Sequence, residues 1–297
     1  MQFVSANGAT IPALGFGTYG MSRPDMLRMI PVALDAGFRH IDTAQIYQNE
    51  AEVGECVAAS GLRREDLFLT TKVWVANYPA RAFAASVDDS LRKLRTDYID
   101  LLLLHWPSTA TSLAEQIEGL NAAVRAGKVR HVGVSNFNRA LVADAVKLSA
   151  APIVTNQFEY HPYLDQAVLI EECRRLGVSV TAYCGMAVGR VFGEPVLEDI
   201  ASAHGRTVAQ IVLRWLLQQE DVIALSRTTN PARTASNAAV FDFTLTAAET
   251  AAIHGLAETN SRIVSPPGLA PAWDPTPAAQ ATMSTRPARL HANSRRN

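Results

Sequence analysis

The chain has 297 residues, 48% of them hydrophobic and 19% charged, and its formal net charge is -1. That length can bury a large core, and the near-neutral balance argues against the basic face of a nucleic-acid-binding protein. No apolar run approaches the roughly 20 residues of a bilayer span, and the stretch 101–104 is only strand-sized.

The opening residues, Met1 to Ser5, lack the charged-then-apolar layout of a signal peptide. Cys56, Cys173 and Cys184 form no CxxC motif and cannot all pair, so inert buried thiols in a reducing cytoplasm are expected. A monomer acting on a small molecule, without nucleic acid or membrane, is the expectation.

In chain order, Asn7-Gly8 between two short β-prone runs predicts a hairpin. Eight short apolar runs then predict strands at 14–17, 39–42, 67–72, 100–105, 131–135, 153–157, 179–183 and 222–226. Amphipathic stretches at 24–36, 50–60, 80–94, 113–126 and 165–176 predict helices between them. Gly37, Gly61, Gly127 and Gly177 punctuate four of these helices before the next strand. Near-continuous apolar strands, each followed by a helix, imply a parallel sheet, and eight units fit an α/β (β/α)8 TIM barrel. An open doubly wound sheet would want a G-x-G-x-x-G turn after its first strand, and none is present. The barrel is expected over 1–265. A C-terminal tail follows over 266–297, partly ordered to about 275, where Leu269 and Trp273 fold back over the barrel. Residues 278–297 are expected to be disordered.

Active sites of such barrels lie at the C-terminal ends of the strands. Asp42, Tyr47, Lys72 and His105 sit at or just beyond neighbouring strand ends and would converge on one mouth. A lysine beside a tyrosine stabilises its phenolate, and an aspartate keeps that lysine charged. An imidazole can orient a carbonyl oxygen. Read singly, Lys72 and Asp42 are equally a stabilising ion pair, His105 a satisfied core histidine, and Tyr47 a packing residue. Their convergence favours a proton-transfer site. His161 has no spaced His or Cys partner, so no metal is expected.

These residues carry a resemblance. Gly37-Phe38-Arg39-His40-Ile41-Asp42-Thr43-Ala44, continuing to Tyr47, Asn49-Glu50 and Val53-Gly54, resembles the leading signature of the aldo-keto reductases. Thr71-Lys72-Val73-Trp74, Leu104-His105-Trp106-Pro107, Val132-Gly133-Val134-Ser135-Asn136-Phe137 and Asn156-Gln157-Phe158-Glu159-Tyr160-His161-Pro162 resemble its later motifs, in the same order. The resemblance implies NAD(P)H-dependent, metal-free carbonyl reduction with Tyr47 as general acid, Lys72 and Asp42 supporting it, and His105 orienting the substrate. It also implies a cofactor site of Thr18, Ser135, Asn136, Gln157 and Tyr183. Arg227, Thr228, Arg233 and Asn237 would grip the 2′-phosphate of NADPH, since two guanidinium groups favour a phosphate. The bland alternative for that stretch is a solvated helix start at Pro231.

Arg227 stands where the family commonly has lysine, Ser226 where it has proline, and Cys184-Gly185-Met186-Ala187 where it has Ser-Pro-Leu-Gly. Tyr19, Trp74 and Trp106 are expected to wall the substrate pocket, and the short loop 108–112 suggests an open one. The motifs Leu94-Arg95-Thr96-Asp97-Tyr98 and 262–274 resemble a bacterial branch of the family that reduces keto-sugars and methylglyoxal. Two other readings stand beside this one: a nucleotide-sensing regulatory subunit, and a metal-dependent barrel hydrolase or isomerase.

Overall fold

The computed structural model of the protein describes residues 2–275. The expectation of disorder at 278–297 lies outside the described residues. β1 (Phe3–Ala6) and β2 (Ala9–Pro12) form the hairpin. Asn7 and Gly8 both have positive φ, 45° and 87°, as a tight two-residue turn between twisted strands requires.

The next segments are β3 (Leu14–Gly17), α1 (Arg23–Asp35), β4 (His40–Asp42), α2 (Glu50–Ala59), β5 (Phe68–Val73) and α3 (Ala80–Leu94). Then come β6 (Ile99–Leu104), α4 (Leu113–Arg125), β7 (Val129–Ser135), α5 (Arg139–Leu148), β8 (Ile153–Glu159) and α6 (Ala167–Arg175). β9 (Ser179–Tyr183), α7 (Pro195–His204), α8 (Val208–Leu217), β10 (Val222–Ser226), α9 (Pro231–Ala238) and α10 (Ala247–His254) complete the chain. Strands β3 to β10 close in sequence order into a parallel eight-stranded barrel, β10 pairing with β3. This is the expected (β/α)8 fold.

Alternation along each strand decides what faces the axis. In β6, Leu102 and Leu104 join the core between strands and helices, whereas Leu101 and Leu103 join a second cluster with Phe68, Val154 and Ile223. Ala9 and Ile11 of the hairpin pack into that second cluster and close the N-terminal end of the barrel. In β5 the same alternation turns Phe68, Thr70 and Lys72 inward, while Leu69 and Val73 join the helix-facing core. At Gly133 in β7, an added Cβ would stand 2.7 Å from both Leu103 and the Thr155 carbonyl, so the barrel closes there only around a glycine.

Helix ends carry the expected signals. Ser22 and Ser112 cap α1 and α4, and Gly37 and Gly177 take φ of 99° and 70° after α1 and α6. The crossover from β9 to β10 holds two helices, α7 and α8. α8 was not among the expected helices; every residue from Gln210 to Leu217 is buried, and its polar stripe, Gln210 and Arg214, bonds to the Ala239 carbonyl and Thr244 Oγ1 rather than facing water.

Candidate active site

Lys72 stands at the centre of the mouth, with no side-chain exposure beyond 1%. Its Nζ donates to Asp42 Oδ1 at 2.5 Å and to the Thr43 carbonyl at 2.8 Å. Asp42 Oδ2 accepts from Gln157 Nε2 at 2.8 Å, across 115 residues of sequence. Burying two charges costs several kcal/mol per ion unless geometry and further hydrogen bonds compensate, and here both carboxylate oxygens are met.

Tyr47 rides on a short 3-10 turn, Gln45–Tyr47. Asn49 fastens that turn, its Oδ1 accepting from Thr43 Oγ1 at 2.7 Å and its Nδ2 donating to the Thr18 carbonyl at 3.0 Å. Gln45 ties it to the pocket loop by accepting from the Trp74 amide at 2.9 Å. The Tyr47 hydroxyl lies 3.5 Å from Lys72 Nζ. The His105 ring meets Tyr47 edge-on, 5.6 Å between centroids, and His105 Nδ1 is buried without a partner. Asp42, Tyr47, Lys72 and His105 therefore come together as the strand ends predicted.

One expectation is corrected. In the free site, burial, then the charge of Asp42 and the neighbouring Tyr19, push the Tyr47 pKa well above the usual tyrosine value rather than below it. The lysine is aimed at Asp42 and Thr43, and the hydroxyl is the longest of its contacts. Burial also lowers Lys72, opposed by Asp42. Burial and the Lys72 charge hold His105 well below the ordinary histidine value, so the imidazole is neutral. The site thus presents a neutral phenol, a neutral imidazole and a buried ion pair.

The residues expected to hold a cofactor lie around the same barrel end. Thr18 bonds the Asp42 carbonyl through its hydroxyl at 3.0 Å. Ser135 donates to the Gln157 carbonyl at 2.8 Å, and Asn136 donates to the His105 carbonyl at 3.0 Å. Tyr183, half-buried, donates to Asn136 Oδ1 at 2.7 Å. At the end of β10, Arg227 and Arg233 are exposed, and Arg227 donates to the Gly20 carbonyl at 3.0 Å rather than to a carboxylate. Thr228 Oγ1 accepts from the Asn230 amide at 3.1 Å, and Asn237 is buried against Ser226 Oγ at 3.0 Å. The alternative, a helix start at Pro231, is present: Asn230 caps α9.

Tyr19, 69% exposed, meets Tyr47 at 5.0 Å, and Trp74 meets His105 at 5.5 Å. Trp106 is buried and stands edge-on to Trp273 at 6.4 Å, so the segment after α10 does fold back over the mouth. Sequence reasoning missed Glu159. It ended this strand at Gln157, whereas β8 runs on two residues, and the Glu159 carboxylate accepts the amides of Ile263 and Val264. His161 is spoken for by Glu159, 2.9 Å away. The three cysteines are unpaired, Cys56 and Cys173 buried and Cys184 half-buried with its thiol pushed up to about 11 by burial. Among the described residues, no helix is long and apolar enough to cross a membrane.

Comparison with known proteins gives the family. The sequence model of the Aldo/keto reductase family matches residues 13–258. The chain is 41% identical over 268 residues to the methylglyoxal reductase DkgB of Yersinia pestis, covering 89% of this chain and all of that protein. It is 42% identical over 260 residues to an aldo-keto reductase of Mycobacterium sp. (strain MCS), covering 86% and 90% of the two chains. Among solved structures it resembles one provisionally named 2,5-diketo-D-gluconic acid reductase B, with a TM-score of 0.91 and 59% identity over 92% of this chain and 98% of that one. It also resembles a Bombyx mori aldo-keto reductase in complex with NADP, with a TM-score of 0.80 and 34% identity over 86% and 94%. The chain belongs to the aldo/keto reductase family.

Proposed function

We propose that this protein is an NADPH-dependent oxidoreductase that reduces aldehydes and ketones to alcohols, with Tyr47 as general acid. The observation that carries the reading is the state of the mouth. A neutral phenol, a neutral imidazole and a buried ammonium meet where the barrel opens, with the Tyr47 hydroxyl and the His105 ring uncommitted to close protein partners.

The chain's own residues divide the work. His105, neutral, donates a hydrogen bond to the substrate carbonyl from the tautomer that carries its hydrogen on Nε2. Tyr47 transfers its proton to the carbonyl oxygen as negative charge develops there. The phenolate then faces Lys72, which Asp42 and Gln157 hold in place. Bound at the same opening, NADPH would supply the hydride that reaches the carbonyl carbon. The residues fit such a cofactor: two exposed guanidinium groups, Arg227 and Arg233, flank the turn into α9, as a 2′-phosphate requires. Thr228 and Asn237 belong to the same clamp. The Tyr183 ring offers a stacking surface, and Asn136, Ser135, Gln157 and Thr18 supply amide and hydroxyl partners for a carboxamide. Asn136 must then exchange its bond to Tyr183 for one to the ligand.

Tyr19, Trp74 and Trp106 wall an aromatic pocket suited to small dicarbonyls or keto-sugars, consistent with the names of the relatives. The unpaired cysteines suit a cytoplasmic setting. The test is a Tyr47→Phe variant assayed with methylglyoxal and NADPH. We expect turnover to fall at least about a hundredfold, with NADPH binding kept. Wild-type rates in that variant would remove Tyr47 from the role. A wild-type protein that binds NADPH but turns over no carbonyl would favour the nucleotide-sensing reading.

A further inference from the structure

We propose that the Glu159 carboxylate is a latch that holds residues 261–274 across the barrel mouth, making Glu159 a positioning residue for the substrate pocket. It sets where the Trp273 indole stands against Trp106. The proposal rests on the carbonyl-reductase reading for its effect on substrate, but the latch itself is a matter of geometry.

Glu159 is fully buried at the end of β8. A carboxylate there is costly unless its lone pairs are met. They are met mainly from the C-terminal segment: the Ile263 amide donates to Oε1 and the Val264 amide to Oε2, each at 2.7 Å. His161 Nε2 completes the set at 2.9 Å from Oε1. Burial raises the proton affinity of this carboxyl, yet His161 and the two amides outweigh it and hold the pKa below the usual glutamate value. Bonds from amides to an ionised acceptor are about twice as strong as neutral ones. Two such bonds are a firm hold on a segment with no helix or strand of its own.

What lies beyond the latch gives it a purpose. The Arg262 guanidinium lies 3.7 Å over the Trp273 ring, and Trp273 Nε1 donates to Ser265 Oγ at 3.1 Å. The far end is fixed at the start of α5, where Asn138 donates to the Ala272 carbonyl at 2.8 Å and Asp274 accepts the Arg139 amide at 2.9 Å. Trp273 sits within the far anchor, flanked by Ala272 and Asp274, and its indole is tied back to the latch end through Arg262 and Ser265; it stands edge-on to Trp106, which directly follows His105. A shift at the latch is therefore passed to the wall beside the carbonyl-binding imidazole.

A Glu159→Gln variant discriminates this role from simple core packing. The amide is isosteric, but it puts an NH2 against one of the two backbone N–H groups. Hydrogen exchange of the intact protein, read peptide by peptide, should then speed up within 261–274 by about tenfold while barrel strands stay protected. KM for p-nitrobenzaldehyde should rise about three- to tenfold, the size of a lost aromatic contact, with kcat and NADPH affinity held. Trp273→Ala should reproduce the KM change and leave the Ile263 and Val264 amides protected. Unchanged exchange in Glu159→Gln, or faster exchange with unchanged KM, would overturn the proposal. Should Glu159→Gln not fold, the wild-type amides of Ile263 and Val264 decide the latch, since fast exchange there excludes it. A wild-type KM in Trp273→Ala excludes the wall. Absence of any carbonyl turnover in the wild type defeats the functional reading and leaves the exchange result standing.

Discussion

The two ends of the barrel both bury an ion pair, and they treat it differently. Near the N-terminal end, Arg64 donates to Asp100 at 2.6 Å, to the carbonyls of Leu67 and Tyr98 at 3.0 and 2.9 Å, and to Thr96 Oγ1 at 2.8 Å. Asp100 also accepts the Leu69 amide at 2.9 Å, and the Tyr98 ring packs between Arg64 and Arg130. Every nitrogen of that guanidinium has a partner inside the protein, so the group is committed to the fold. At the mouth, Asp42 and Lys72 satisfy each other with Gln157 and Thr43, yet the adjoining Tyr47 hydroxyl and His105 ring are left open. Saturation marks a pair that holds the fold together, and incomplete saturation beside an opening marks one that can do chemistry.

The comparison predicts that damage at the two ends falls on different properties. Arg64→Leu leaves the buried Asp100 short of its main partner and should cost about 3–5 kcal/mol in urea unfolding. Turnover per folded molecule should be unchanged, and a loss of kcat would blur the distinction between the ends. Tyr47→Phe should do the reverse, keeping the unfolding midpoint while activity collapses. Arg227→Ala, at the rim of the mouth, should weaken NADPH binding about tenfold, as the loss of one charge-assisted contact implies, and leave NADH nearly untouched. An equal loss for both cofactors would take Arg227 out of the phosphate clamp.

The smallest effect concerns pH. His105 is held neutral well below the ordinary histidine value of about 6.5, so kcat/KM should show no acid limb at that pH and should fall only lower. The same depression has a stability consequence. The folded state binds its proton less readily than the unfolded chain, so the His105 contribution to stability is present above about 6.5 and is lost as pH falls below it. A rate limb at 6.5 that disappears in His105→Asn would contradict the neutral assignment.

Much of this was written locally. The eight strands, their order and the turn at Asn7-Gly8 follow from apolar runs, glycine stops and β-prone neighbours, and each acts over a few residues. Placement at strand ends, together with alternation, then brings Asp42, Lys72 and His105 to one mouth. Helix α8 was not read from the sequence, and only the packing shows that its Gln210 and Arg214 are buried and bonded within the protein.

The sequence by itself thus determined the barrel, the family and the residue types at the opening. Only the tertiary structure decided that Gln157 steadies Asp42, that Glu159 holds the strap, and that Trp273 meets Trp106. It also reversed the expected acidity of Tyr47. The reason is the same in each case: these contacts join residues a hundred or more positions apart, and desolvation depends on everything packed around a group rather than on its neighbours in the chain.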